Sequence, residues 1–246
     1  MGSFYKERAL GGALTYHFAT RYTSNPMTFF ADDAHDLIAG YRRFRQGRYP
    51  EAASLFRTLK DNQTPATMII ACADSRADPS MIFDAAPGEL FVVRNVGALV
   101  PPFDETPGLH GVSAALEFAV TSLKVRQILV MGHGGCGGMA ACLAAETHQP
   151  VGHFIAPWVE IASSVRKTVI EDTTIPETDR LEAIEHGAVG LSLENLLTFP
   201  FVRDAVANRR LSLDGAWFSI GRGELHWRNR TTGRFETVMA EVPSVR

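Results

Sequence analysis

The sequence predicts an α/β protein with a mainly parallel central sheet flanked by helices and an N-terminal helical arm. Three observations carry that expectation. Short continuous apolar runs recur at residues 67–72, 90–94 and 127–131, as in strands buried on both faces. Segments of helical period lie between and after them. The clearest is 111–123, where Val112, Ala115, Leu116, Ala119, Val120 and Leu123 share one face. Finally, strands and helices alternate along the chain, the pattern of crossover connections in a parallel sheet.

Taken in order, residues 33–59 read as helical. Ala34, Leu37, Ile38, Tyr41 and Phe44 keep helical spacing, and Pro50 is expected to restart a second helix bearing Ala53, Phe56 and Leu59 on one face. Arg42, Arg43, Arg45 and Arg48 read as a solvated face. After the strand at 67–72, Pro79 opens a short helix around 81–85, and Pro87-Gly88 turns the chain into the strand at 90–94. A Gly- and Pro-rich loop at 95–107 leads to the helix at 111–123. The strand at 127–131 runs through a glycine-rich loop, 132–138, into a helix at 139–145. Helical patterns follow at 153–170 and 177–197, and Pro200 breaks the second before a short helix ending near Asn208. Residues 213–220 alternate as a strand, and a turn at 221–223 leads to a last strand at 224–228.

These elements define one α/β domain at 33–230, with its helical arm at 33–60. Residues 231–246 are expected to be a C-terminal tail and residues 1–32 a flexible extension. The first 26 residues carry Lys6, Arg8 and Arg21 against the single acid Glu7, without the continuous apolar core of a signal peptide, and Met27 reads as a plausible natural start.

Composition narrows the function classes. Hydrophobic residues make up 46% of the 246 and charged residues 21%, ordinary for a soluble globular protein. A net charge of −3 gives no support for a nucleic-acid partner or a basic membrane surface, and no run approaches the ~18 apolar residues of a membrane-spanning helix. Three cysteines are too few for a disulfide scaffold. They point to a reducing, cytoplasmic setting in which thiols serve a metal or chemistry.

In parallel sheets, sites form at the carboxyl ends of strands. Cys72 ends the first strand, and His133 and Cys136 lie just past the third. Two thiolates and one imidazole suit Zn2+. Three protein ligands with one open position form the catalytic pattern, in which bound water is acidified to a pKa of about 7. Asp74 is suited to accept the proton of that water or hydroxide, and Arg76 can hold the carboxylate with a bidentate fork, keeping it off the metal. Cys142 reads as core. His110, His153 and His186 read as surface or satisfied core residues, and Arg94 as a structural ion-pair or interface residue.

Cys72-x-Asp74-x-Arg76, the segment Arg94-Asn95-Val96-Gly97, the helix at 111–123 and Gly132-His133-x-x-Cys136-Gly137-Gly138 occur in this order. Together they resemble the β-class carbonic anhydrases, over about residues 33–228. The resemblance implies a dimer-based zinc enzyme, a homodimer or a tetramer of dimers. Zinc-bound hydroxide would hydrate CO2 reversibly to bicarbonate and a proton. The ligands would be Cys72, His133 and Cys136, and the catalytic dyad Asp74 and Arg76. Ile69 departs from a bicarbonate-inhibited subset that has Trp there, which argues against a bicarbonate regulatory pocket. Gly134-Gly135 departs from the usual Ser or Thr followed by another residue.

Other readings stay open at this stage. The same hydroxide could hydrolyse a CO2 analogue, CS2 or COS. The chain could be a non-catalytic zinc- or bicarbonate-binding protein. Gly132-x-Gly134-Gly135 between strand and helix resembles a dinucleotide-binding turn, but no clear acid ends a following strand about 20 residues on.

Overall fold

The computed structural model describes residues 3–8, 14–19, 33–106, 108–145 and 152–239, with side chains from residue 36 onward. The expectations for 1–2, 9–13, 20–32, 107, 146–151 and 240–246 lie outside the described residues. The chain divides into two units that meet between Arg57 and Thr58.

In the first unit, β1 (Ser3–Arg8) pairs antiparallel with β2 (Leu14–Ala19), Ser3 opposite Ala19. No strand was expected there. Helices α1 (Asp33–Gln46) and α2 (Arg48–Thr58) follow. The break falls at Gly47, three residues before Pro50, and the Gly47 N–H still donates to Arg43 O at 2.9 Å. Pro50 instead occupies the first turn of α2, where its missing N–H leaves no helical bond unmade. Phe44, Tyr49 and Phe56 form a compact aromatic cluster, with ring centroids 5.4–6.1 Å apart.

The second unit is built on a six-stranded sheet. Its strands are β3 (Thr67–Cys72), β4 (Leu90–Asn95), β5 (Gln127–His133), β6 (Ser212–Ser219), β7 (Glu224–Arg228) and β8 (Phe235–Thr237). Their order is β4-β3-β5-β6-β7-β8. The first four are mutually parallel, and hairpins add β7 and β8 antiparallel. The sheet therefore continues past residue 230, where the sequence suggested the domain would end.

Both faces of β3 and β5 are covered, which explains their unbroken apolar runs. Successive side chains alternate in direction. Met68, Ile70, Ile128 and Val130 pack into one core cluster, while Ile69, Ala71, Leu129 and Met131 pack into another. Apart from Ala71, each of these side chains contributes about 1.5–3 kcal/mol on burial.

The crossover helices are α3 (Pro79–Ile82), α4 (Gly111–Glu117), α5 (Gly137–Ala144), α6 (Ile155–Val159), α7 (Ser163–Glu171), α8 (Arg180–Leu196) and α9 (Pro200–Ala207). The helical face expected over 111–123 is present, but its second half, Phe118–Leu123, widens into a π-helical turn that ends at a left-handed Lys124.

Candidate metal centre and carboxylate–guanidinium dyad

β3 and β5 are adjacent and parallel, with Ala71 opposite Met131, so their carboxyl ends stop side by side. Cys72 is the last residue of β3. His133 is the last residue of β5 rather than a loop residue, because β5 keeps pairing with β6 through His133 opposite Phe218. Gly135 then takes φ +67, a left-handed conformation natural to glycine, and the chain doubles back to Cys136 at the start of α5.

The three side chains converge. Cys72 Sγ and Cys136 Sγ are 3.8 Å apart, and one ligand atom from each of Cys72, His133 and Cys136 lies within 4.8 Å of the others, all buried. His133 Nδ1 is 3.1 Å from Gly134 O, which assigns the ring proton to Nδ1. Nε2 is buried and has no hydrogen-bond partner among the described residues. A buried lone pair without a donor, facing two sulfurs, is what a divalent metal of zinc's preferences would satisfy. The Gly97 N–H donates to Cys72 Sγ at 3.4 Å. The Cys136 thiol beside it, with that N–H, favours the Cys72 thiolate against the cost of burial. The Cys72 anion, with burial, pushes the Cys136 thiol up.

Asp74 and Arg76 stand at the mouth of this cradle. Asp74 Oδ1 accepts from the Arg76 backbone N–H and from Nε, both at 2.9 Å, and Oδ2 accepts from Nη2 at 2.7 Å. The fork holds the Asp74 carboxyl down at about 2, despite partial burial. Asp74 Oδ2 is 3.9 Å from His133 Nε2, so the carboxylate borders the space the three ligand atoms face.

Arg94 braces the same loop. Its Nε donates to Cys72 O at 3.0 Å, Nη2 donates to Asp74 O, and Nη1 pairs with Asp78 at 2.8 Å. Asp78 in turn caps α3 through the N–H groups of Ser80 and Met81. Ile69, at the position of the expected departure, is buried in the core.

Glu185 was not singled out from the sequence. It is 3% exposed, accepts from the Cys136 N–H through Oε1 at 2.8 Å, and accepts from Trp217 Nε1 through Oε2 at 3.0 Å. Burial pushes its carboxyl up, and the two donors oppose that. The available signal was a carboxylate beside Ile184, Ala188 and Val189 on the apolar stripe of α8. Cys142 is buried in the core, and His186 packs between Trp217 and Phe235.

Two thiols and an imidazole converge at the carboxyl ends of adjacent parallel strands of an α/β protein, a group that could hold one metal ion. The sequence model of the family described as carbonic anhydrase matches residues 67–225. A carbonic anhydrase of Pseudomonas aeruginosa is 37% identical over 211 residues, 86% of this chain and 94% of the relative. The solved structure of the β-carbonic anhydrase CcaA superposes with a TM-score of 0.79 at 30% identity, covering 86% of this chain and 95% of that one. One from Sordaria macrospora, described among two tetrameric β-carbonic anhydrases, gives 0.72 at 29% identity, covering 80% and 97%. The chain belongs to the β-class carbonic anhydrases, a family of enzymes.

Proposed function

We propose that Cys72, His133 and Cys136 hold one zinc ion, and that the enzyme uses it for reversible hydration of CO2 to bicarbonate and a proton. The observation carrying this reading is the buried, unpartnered Nε2 of His133 facing two sulfurs beside a carboxylate already engaged by arginine. Bound there, zinc supplies Lewis acidity and a water acidified toward neutrality. Cys72 and Cys136 contribute anionic sulfur, and His133 contributes a neutral ring oriented by Gly134 O. Asp74 keeps a lone pair free on Oδ2 beyond its three bonds to Arg76, so it can accept a hydrogen bond from the attacking oxygen and orient it. Arg76 keeps that carboxylate ionised and turned toward itself rather than toward the metal.

The chain is further read as a homodimer or a tetramer of dimers. Support comes from the tetrameric description of the Sordaria macrospora relatives and from Leu37, Ile38 and Tyr41, which stand exposed on α1. The free thiols Cys72, Cys136 and Cys142 favour a reducing compartment, the cytoplasm. Among the described residues, no helix is long and apolar enough to cross a membrane.

Elemental analysis paired with stopped-flow CO2 hydration tests the reading. The expected result is about one zinc per chain and hydration at about pH 8.5, with Asp74→Ala keeping its zinc and losing about 100-fold or more in rate. Absence of hydration by the zinc-loaded wild type at that pH would refute the enzymatic reading. Turnover of CS2 or COS in the same sample would then favour the analogue hydrolase.

A further inference from the structure

Along α8, two adjoining clefts of about 700 and 670 Å3 share Gly190, Glu194 and Arg228. Together they follow α8 from Ala183 to Leu197, a run of about 20 Å at the helical rise. The second cleft reaches Arg126, just before β5, and Ser212, the first residue of β6. It therefore lies at the amino ends of strands whose carboxyl ends carry the site, about 20 Å away along a seven-residue strand.

The walls are unusually basic for a chain of net charge −3. Arg126, Arg209, Arg210, Arg228, Arg230 and Arg234 line the clefts, against Glu194. Of these arginines only Arg230 has an acid partner among the described residues, pairing with Asp214 at 2.7 Å. Arg228 is half-buried at the centre and is shared by both clefts. Its guanidinium is bracketed by two glycines: a Cβ on Gly190 would lie 3.8 Å from its Nε, and one on Gly233 would lie 3.0 Å from its Nη2. The floor between the arginines is aliphatic, including Leu193, Val206 and Leu211.

We propose that this furrow binds an extended acidic peptide segment of a partner protein. A length of about 20 Å accommodates about six residues of extended chain. In such a chain, alternate side chains can lie on the aliphatic floor while the others meet the guanidiniums at the walls, which matches a segment alternating apolar and acidic residues. Carboxylates are the bidentate counterpart of Arg. The arm of a second copy is a poor occupant by charge, since α1 and α2 carry Arg42, Arg43, Arg45 and Arg48.

The test is fluorescence anisotropy of a labelled peptide of three Leu-Glu repeats titrated with the full-length zinc-loaded protein. The expected result is saturable binding that weakens as salt is raised from ~0.05 to ~0.3 M and is absent for the Leu-Lys peptide. Arg228→Gln should weaken binding about tenfold or more. So should the exposed double variant Arg209→Glu/Arg210→Glu, which protects the test if Arg228→Gln folds poorly. Zinc content and CO2 hydration of the double variant should match wild type. No saturable binding would overturn the proposal, as would equal binding by the double variant. Equally tight binding of a single-stranded oligonucleotide would reduce the furrow to a general polyanion surface and also overturn it. If the double variant changes oligomer mass and the wild type does not take up the peptide, the furrow is a subunit interface and the proposal fails.

Discussion

Replacing Arg76 with Met removes the fork that fixes Asp74 while leaving all three proposed ligands in place. Arg76 holds the Asp74 carboxyl at about 2 against an ordinary 3.8. At about 1.36 kcal/mol per pH unit, that difference is worth at most about 2.5 kcal/mol. The Arg76 side chain is 35% exposed, so solvent screening reduces the figure to about 1–2 kcal/mol. If that energy keeps Asp74 pointing toward Arg76, its loss lowers the productive orientation, and kcat/KM with it, by about 5- to 30-fold. Asp74 Oδ2 is 3.9 Å from His133 Nε2, so a released carboxylate has little distance to travel before it would compete for the proposed zinc ion. The assay is stopped-flow CO2 hydration with zinc quantified on the same sample. Arg76→Lys, which keeps the charge without the fork, should fall between wild type and Arg76→Met. A loss below about twofold, or one that tracks zinc content, would refute the reasoning.

Two further outcomes follow from buried polar groups. Glu185→Ala strips the acceptors from the Cys136 N–H and Trp217 Nε1, at about 1–3 kcal/mol each, so thermal unfolding should fall by several degrees while Glu185→Gln recovers part of the loss. Asp214 is buried, and although burial raises its carboxyl, Arg230 and Gln127 bring the net value below 3.8. A depressed carboxyl stabilises the fold above its unfolded value and loses that contribution as pH falls below it. Arg230→Ala should therefore lower stability near neutrality and flatten its decline below about pH 4, measured by urea unfolding across pH.

Most of the site was legible because its residues sit at strand ends that announce themselves. The runs 67–72 and 127–131 are short, apolar and continuous, and the chemistry-bearing residues come directly after or at their ends. What remained hidden depended on contacts distant in sequence. Glu185 lies 49 residues from the Cys136 amide it accepts from, and its helix gives no local sign of that partner. β8 is three residues long and exists because β7 offers it an edge, with Phe235 opposite Arg228. The break before α2 was misplaced because Pro50 attracts attention, although proline fits a helix's first turn and the interruption belongs to Gly47.

The register that sets Ala71 opposite Met131, and so brings the strand ends carrying Cys72 and His133 side by side, raises a different question, because both faces of β3 and β5 are apolar. A one-residue slip would exchange faces without exposing a polar side to the core, so hydrophobic patterning alone does not forbid it. Glycines supply the missing index. A Cβ on Gly132 would lie 2.9 Å from Val189 Cγ2, and one on Gly215 of β6 would lie 2.8 Å from Val189 Cγ1. α8 thus rests on two positions where any side chain would force Val189 to shift, and a slip of β5 would drive Met131 or His133 toward Val189. Gly132→Ala should accordingly cost about 1–3 kcal/mol and weaken zinc retention, since His133 is the next residue. Val189→Ala in the same chain should return part of both losses, because it removes the atom in collision. A double-mutant cycle by chemical denaturation, with zinc content measured alongside, reads the coupling directly. Strict additivity of the two substitutions would show that Val189 does not set the register.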